Sequence, residues 1–117
     1  KLYYRADRVR KPLTKIPTRI IKKNMGWCDD PESKYYNKEI LIKNKTKYER
    51  LFRKDHSYDY FINIKYNDNK TKTDKGSAIF IHLTNNYKST AGCVALKKKD
   101  FLILAKLIDK KSQIKIC

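Results

Sequence analysis

The chain is short of the groups that bind metals or cross membranes. Its three cysteines, Cys28, Cys93 and Cys117, include no Cys-x-x-Cys pair, and its two histidines stand apart at positions 56 and 82. Zinc-ligand spacing is missing, so neither a structural metal nor a cofactor is expected. No apolar run approaches the roughly 18 residues of a membrane-spanning helix. There is no export signal, and the sequence opens on Lys1 rather than Met, as a processed or truncated form would. Repeats and low-complexity segments are absent, and nothing marks a domain boundary. Acidic residues are scarce too: 12 Asp and Glu face 29 Lys and Arg, a formal net charge of +17.

What is present suits one folded unit. A chain of 117 residues, 40% of them hydrophobic, can bury a single core despite its charge. The positive charge is mostly lysine, 23 Lys against 6 Arg, spread along the chain rather than gathered in a tail. Such a balance attracts polyanions through long-range, salt-sensitive forces: nucleic acid, an anionic lipid surface or an acidic cell-wall polymer. The alternative is a coding bias toward lysine, asparagine and isoleucine, with the charge a solvated surface. Both readings stand.

Periodicity predicts a mainly β domain with one or two helices. The opening "KLYYRADRVRKPLTKIPTRIIKKN" is interrupted by Pro12 and Pro17 and reads as extended segments and turns. "MGWCDDPESKYYN" is dense in turn formers yet holds the only tryptophan, and reads as a loop that is pinned down or functional. In "KTKYERLFRKD", Tyr48, Leu51 and Phe52 have helical spacing. "SYDYFINIKYND" alternates with period two, placing Tyr58, Tyr60, Ile62, Ile64 and Tyr66 on one face of a strand. "SAIFIHL" reads as an interior strand. "DFLILAKLID" puts Phe101, Leu104, Ala105 and Ile108 on one helical face, with Asp100 near the N-terminus, and "SQIKIC" reads as a closing strand.

The chemistry concentrates in "IFIHLTNNYKSTAGCVAL". A cysteine is a strong nucleophile only as the thiolate, and an unperturbed thiol near pKa ~8.5 is only slightly ionised at neutral pH. His82, eleven residues before Cys93 at the end of a strand, can return across the loop to take the proton. The small residues before Cys93 let backbone N–H groups face the space where a carbonyl oxygen gains charge. On residue types alone the inert reading comes first: a buried thiol beside a satisfied core histidine.

The motifs "GSAIFIH" and "STAGCVAL", followed by a helix, resemble the YkuD-type L,D-transpeptidase catalytic domain, also called ErfK/YbiS/YcfS/YnhG. "YYRADR", "MGWCDDP", "YYN" and "YDYFINIKYND" resemble its branch with a Trp-Cys-Asp-Asp-Pro loop. The resemblance spans nearly the whole chain and implies a YkuD-like β-sandwich. It also implies one catalytic domain over residues 1–117, truncated at the N-terminus and lacking some of the strands that family members carry upstream. Many members have a second histidine where this chain has Ala91, and an Arg or Asn where it has Ala95.

The implied reaction is acyl transfer on peptidoglycan stem peptides. Cys93 attacks, His82 is base and then acid, and the N–H groups of Gly92 and Cys93 hold the oxyanion. An amine acceptor gives a cross-link; water gives an L,D-carboxypeptidase. The expected location is the bacterial envelope, periplasmic or exported. Ser89 and Thr90 are candidates to shape the catalytic turn, and Trp27, Asp29 and Asp30 to line the donor groove. Arg5 and Arg8 are candidates to grip substrate carboxylates. Each has a purely structural alternative: loop polarity, Asx turns, or for the arginines pairing with Asp7 or Asp30. Cys28 is expected to be a buried thiol, Cys117 incidental and His56 a solvated surface residue. Two other classes compete: a basic module stacking single-stranded nucleic acid on its tyrosines, and a cell-wall binding domain without catalysis. The alternation of the tyrosines at 58–66 argues against nucleic acid as the partner.

Overall fold

Large apolar side chains on both faces of its central strands give this fold three layers. The computed structural model describes residues 1–42, 47–64, 79–84 and 94–113. Among them lie the strands β1 (Leu2–Tyr4), β2 (Thr18–Ile20), β3 (Met25–Cys28), β4 (Glu39–Leu41), β5 (Tyr48–Arg50), β6 (Tyr60–Asn63), β7 (Phe80–Leu83) and β8 (Val94–Leu96) and one helix, α1 (Lys98–Leu107). The larger sheet has the order β2-β1-β6-β7-β8, with its outer pairs β1–β2 and β7–β8 parallel and its inner pairs antiparallel. The smaller, β4-β3-β5, is antiparallel throughout.

Period-two alternation sorts the side chains of the larger sheet between two cores. Tyr3, Phe61 and Phe80 face the smaller sheet and pack with Met25, Trp27, Leu51 and Tyr58. Leu2, Tyr4, Tyr60, Ile62, Ile81 and Leu83 face the other way and meet Phe101 and Ala105 of α1. The helix forms where the spacing predicts. Phe101 and Ala105, one turn apart, are fully buried, and Asp100 and Lys106 lie in the first and last turns, where the helix dipole favours them. Burying a phenylalanine such as Phe101 contributes roughly 1.5–3 kcal/mol.

The structure corrects three local expectations. Tyr48–Arg50 is a strand rather than the start of a helix, because antiparallel pairing with β3 satisfies its backbone and Leu51 is drawn wholly into the core. Met25–Cys28 is the fully buried central strand of the smaller sheet rather than part of a loop; within the predicted loop the turns begin only after Cys28. Gly26 suits this strand because a Cβ there would meet Ile42 Cγ1 and Tyr48 Cδ2 at 3.2 Å. Tyr58 does not share a face with Tyr60 and Ile62: β6 begins only at Tyr60, and the turn before it carries Tyr58 into the inter-sheet core. Of the predicted closing strand, residues 114–117 lie outside the described residues.

Candidate active site

His82 is placed by register. Tyr3 stands opposite Phe61, Phe61 opposite His82 and His82 opposite Ala95, one row across four strands. Tyr3 and Phe61 stack at 4.6 Å with planes 4° apart, so the row begins as an aromatic ladder and continues to the histidine. Paired residues share a face, so His82 stands on the side of the larger sheet that faces the smaller one, and it is half-buried. The ring of Tyr58 flanks it, with centroids 5.7 Å apart.

The hydrogen bond of the imidazole fixes its tautomer. His82 Nδ1 lies 2.9 Å from the carbonyl oxygen of Leu83. A carbonyl can only accept, so Nδ1 carries the proton, and in the neutral ring Nε2 keeps its lone pair. Leu83 is itself anchored: its N–H donates to Ser57 O at 2.9 Å, and the N–H of Thr84 donates to Leu96 O at 2.8 Å. The ring is thus oriented by main-chain groups, with its outer nitrogen available as a proton acceptor. Sequence reasoning missed the Leu83 carbonyl, since every residue carries one and nothing in the residue type marks it.

β8 runs parallel to β7, with Val94 opposite Ile81 and Leu96 opposite Leu83. Cys93 directly precedes Val94 in the chain. Cys93, Gly92, Ala91, Thr90 and Ser89 lie outside the described residues.

The other predicted site residues have structural neighbours. Trp27 is buried, edge-on to Tyr3 and Phe80, and its indole N–H donates to Asn37 Oδ1 at 3.1 Å. Its ring is a core element and presents no open face to a donor groove. Asp30 accepts the N–H of Glu32 at 3.0 Å, an Asx-turn role, and Asp29 is exposed. Arg5 is 3% exposed, its guanidinium held by both carboxylate oxygens of Asp7 and by the carbonyl of Arg53, and it lies over the Phe52 ring at 3.4 Å. Those hydrogen bonds hold the Asp7 carboxyl down at about 2. Arg8 pairs not with Asp7 or Asp30 but with Asp59, at 2.9 Å. Cys28 is a fully buried free thiol. His56 is exposed as expected, yet its Nδ1 lies 2.7 Å from Asp59 Oδ2.

Three polar residues that reasoning from sequence overlooked hold this region together. Asp59, buried, ties Arg8 and His56. Asn37, buried with a positive φ of 61°, closes the turn and receives the Trp27 donor. Glu39 accepts from the Tyr3 hydroxyl at 2.8 Å and from Arg19 at 2.7 Å; burial, then this carboxylate, pushes the Tyr3 phenol upward. The positive φ of Asn37 has a sequence signal, since asparagine tolerates that region. Five of the tyrosines, Tyr3, Tyr4, Tyr36, Tyr58 and Tyr60, are buried, so they offer no exposed rings for bases to stack on.

Two stacked sheets with a helix across the outer face of the larger one make this a β-sandwich domain. The chain matches the family model of the L,D-transpeptidase catalytic domain, YkuD, over residues 3–116, and belongs to that family. No curated protein and no solved structure matches it. The family acts on peptidoglycan, and its domains are typically cell-wall enzymes. No helix among the described residues is long and apolar enough to cross a membrane.

Proposed function

We infer that the chain is an L,D-transpeptidase of the bacterial envelope, exported or periplasmic, acting through Cys93 and His82. The observation that carries this is the hydrogen bond from His82 Nδ1 to the Leu83 carbonyl, which leaves Nε2 as the base. Chain order adds support: Cys93 directly precedes β8, the strand whose Ala95 stands opposite His82.

In the proposed cycle His82 Nε2 takes the proton of the Cys93 thiol, and the thiolate adds to the carbonyl on the L-centre side of a bond to a D-amino acid. The N–H groups of Gly92 and Cys93 stabilise the oxyanion. Collapse breaks the peptide bond, the amine leaves with the proton from His82, and a thioester remains on Cys93. The amine of a second stem then attacks, giving its proton to His82, and the thiol re-forms as the cross-link is made. Water as the acceptor gives the carboxypeptidase outcome from the same intermediate. The net charge of +17 suits retention on an anionic wall polymer.

Intact-mass measurement after incubation with a carbapenem tests the assignment. A covalent adduct on the wild-type chain, absent from Cys93→Ala, is expected. An unmodified wild-type mass together with no turnover of muropeptides would sink it.

A further inference from the structure

A groove of about 750 Å³ opens beside the candidate active site, and four of the chain's six arginines line it together with Phe52, Lys54 and Asp55. Three of those arginines are already engaged. Arg5 is gripped by both oxygens of Asp7, Arg8 by Asp59 and by the carbonyls of Lys54 and Asp55, and Arg53 by Asp55 at 2.6 Å. Charge-assisted and in part bidentate, these pairs give the groove firm walls and cancel most of its charge.

Arg50, at the end of β5, and Lys54, on the bend that follows, are different. Both are exposed, and among the described residues neither side chain has a carboxylate partner. The groove therefore holds two uncompensated cations a few residues apart, within one concavity. That pattern suits a compact ligand bearing one or two carboxylates better than a long polyanion, which is met by a track of unpaired cations.

The groove adjoins His82. The Arg53 guanidinium lies 5.1 Å from the centroid of the Tyr58 ring, and the same ring meets the His82 ring at 5.7 Å. Beneath them the Ser57 carbonyl accepts the Leu83 N–H. One aromatic ring thus separates the cationic wall from the imidazole.

We propose that this groove is a carboxylate subsite for the peptide handled at His82, with Arg50 and Lys54 as the residues that recognise it and Arg5, Arg8 and Arg53 as its walls. The proposal rests on the acyl-transfer reading of Cys93 and His82. It moves carboxylate recognition from Arg5 and Arg8, which the fold has engaged, to two cations on a different segment.

The test separates binding from turnover. The Cys93→Ala chain is titrated calorimetrically with a stem tetrapeptide carrying free carboxylates and with the same peptide fully amidated. Arg50→Gln and Lys54→Gln are each expected to weaken binding of the free acid about tenfold. The amidated peptide binds weakly to all forms. Lys110→Gln, at an exposed lysine in the turn after α1, serves as the charge control and leaves binding unchanged. With Cys93 restored, KM rises in the groove variants while kcat holds. Both substituted side chains are exposed, so folding is not at stake.

Equal affinity of the free acid for the parent and for the double variant overturns the proposal, as does tight binding of the amidated peptide. A glycerol-phosphate oligomer that outcompetes the peptide, and loses affinity in the same variants, overturns the carboxylate assignment. A carbapenem adduct on Cys93 with unchanged peptide binding removes the groove alone. Impaired binding in the variants with no adduct on the wild type removes the acyl-transfer reading and leaves the groove an anion site.

Discussion

The ring of Tyr58 meets the imidazole of His82 at 69° with centroids 5.7 Å apart, while its hydroxyl donates to Glu49 and its ring also packs against Phe61 and Phe80. The residue that walls the histidine is therefore itself locked by the inter-sheet core. Tyr58 belongs to the turn before β6, so the position of the imidazole depends on a segment far from it in sequence.

Removing the Tyr58 ring should both destabilise the fold and loosen His82. Tyr58→Ala is expected to cost about 3–5 kcal/mol in a urea denaturation experiment and to lower kcat. Tyr58→Phe keeps the ring and removes the hydroxyl that bonds to Glu49, about 1 kcal/mol, with kcat retained. Equal activity loss in both variants would show that the hydroxyl, not the ring, matters.

His82 should exist at neutral charge as the tautomer with hydrogen on Nδ1, as its bond to Leu83 O requires. Nitrogen NMR of the labelled ring reads this directly. His82→Gln is expected to slow acylation of Cys93 by about 10²–10⁴-fold. A ring protonated on Nε2 in the neutral form would remove the proposed base.

Asn37 supplies two things at once, a tolerable positive φ and an acceptor for the buried Trp27 N–H. Asn37→Gly keeps the backbone freedom and orphans the indole, an expected loss of about 1–3 kcal/mol. Asn37→Ala should lose more, because it adds strain at the same φ. Chemical denaturation of the two variants side by side gives the order; a more stable Ala variant would contradict it.

The Arg5–Asp7 pair should appear as a pH dependence. Hydrogen bonds from Arg5 lower the Asp7 carboxyl from 3.8 to about 2 in the folded chain. A depressed carboxylate pKa contributes stability that is present above the unfolded value and lost as pH falls through the folded one. The stability gap between wild type and Asp7→Asn should therefore be flat above about pH 5 and shrink between about pH 4 and 2. A gap that is constant down to the acid limit would mean that Asp7 is not depressed.

Much of the fold was readable wherever one periodic pattern met one burial surface. Phe101 and Ala105 lie on the predicted helical face and are the buried residues of α1, because a single sheet face covers that stripe. "SAIFIHL" reads as an interior strand, and β7 lies between β6 and β8. Reading failed where long-range pairing overrode local signals. Met25–Cys28 is surrounded by turn formers, and Tyr48, Leu51 and Phe52 have helical spacing. Even so, both segments pair in the smaller sheet, since burial of Trp27 and Leu51 outweighs weak local propensity.

By itself the sequence determined the mainly β class, the helix after β8 and the excess positive charge, because these depend on residue type and short-range period. Only the tertiary structure decided the rest. It drew Trp27 and Arg5 into the fold, left Arg50 and Lys54 open in the groove, and aimed His82 Nδ1 at the Leu83 carbonyl. These outcomes turn on which backbone groups and charges meet across distant segments, and no local pattern of side chains encodes that meeting.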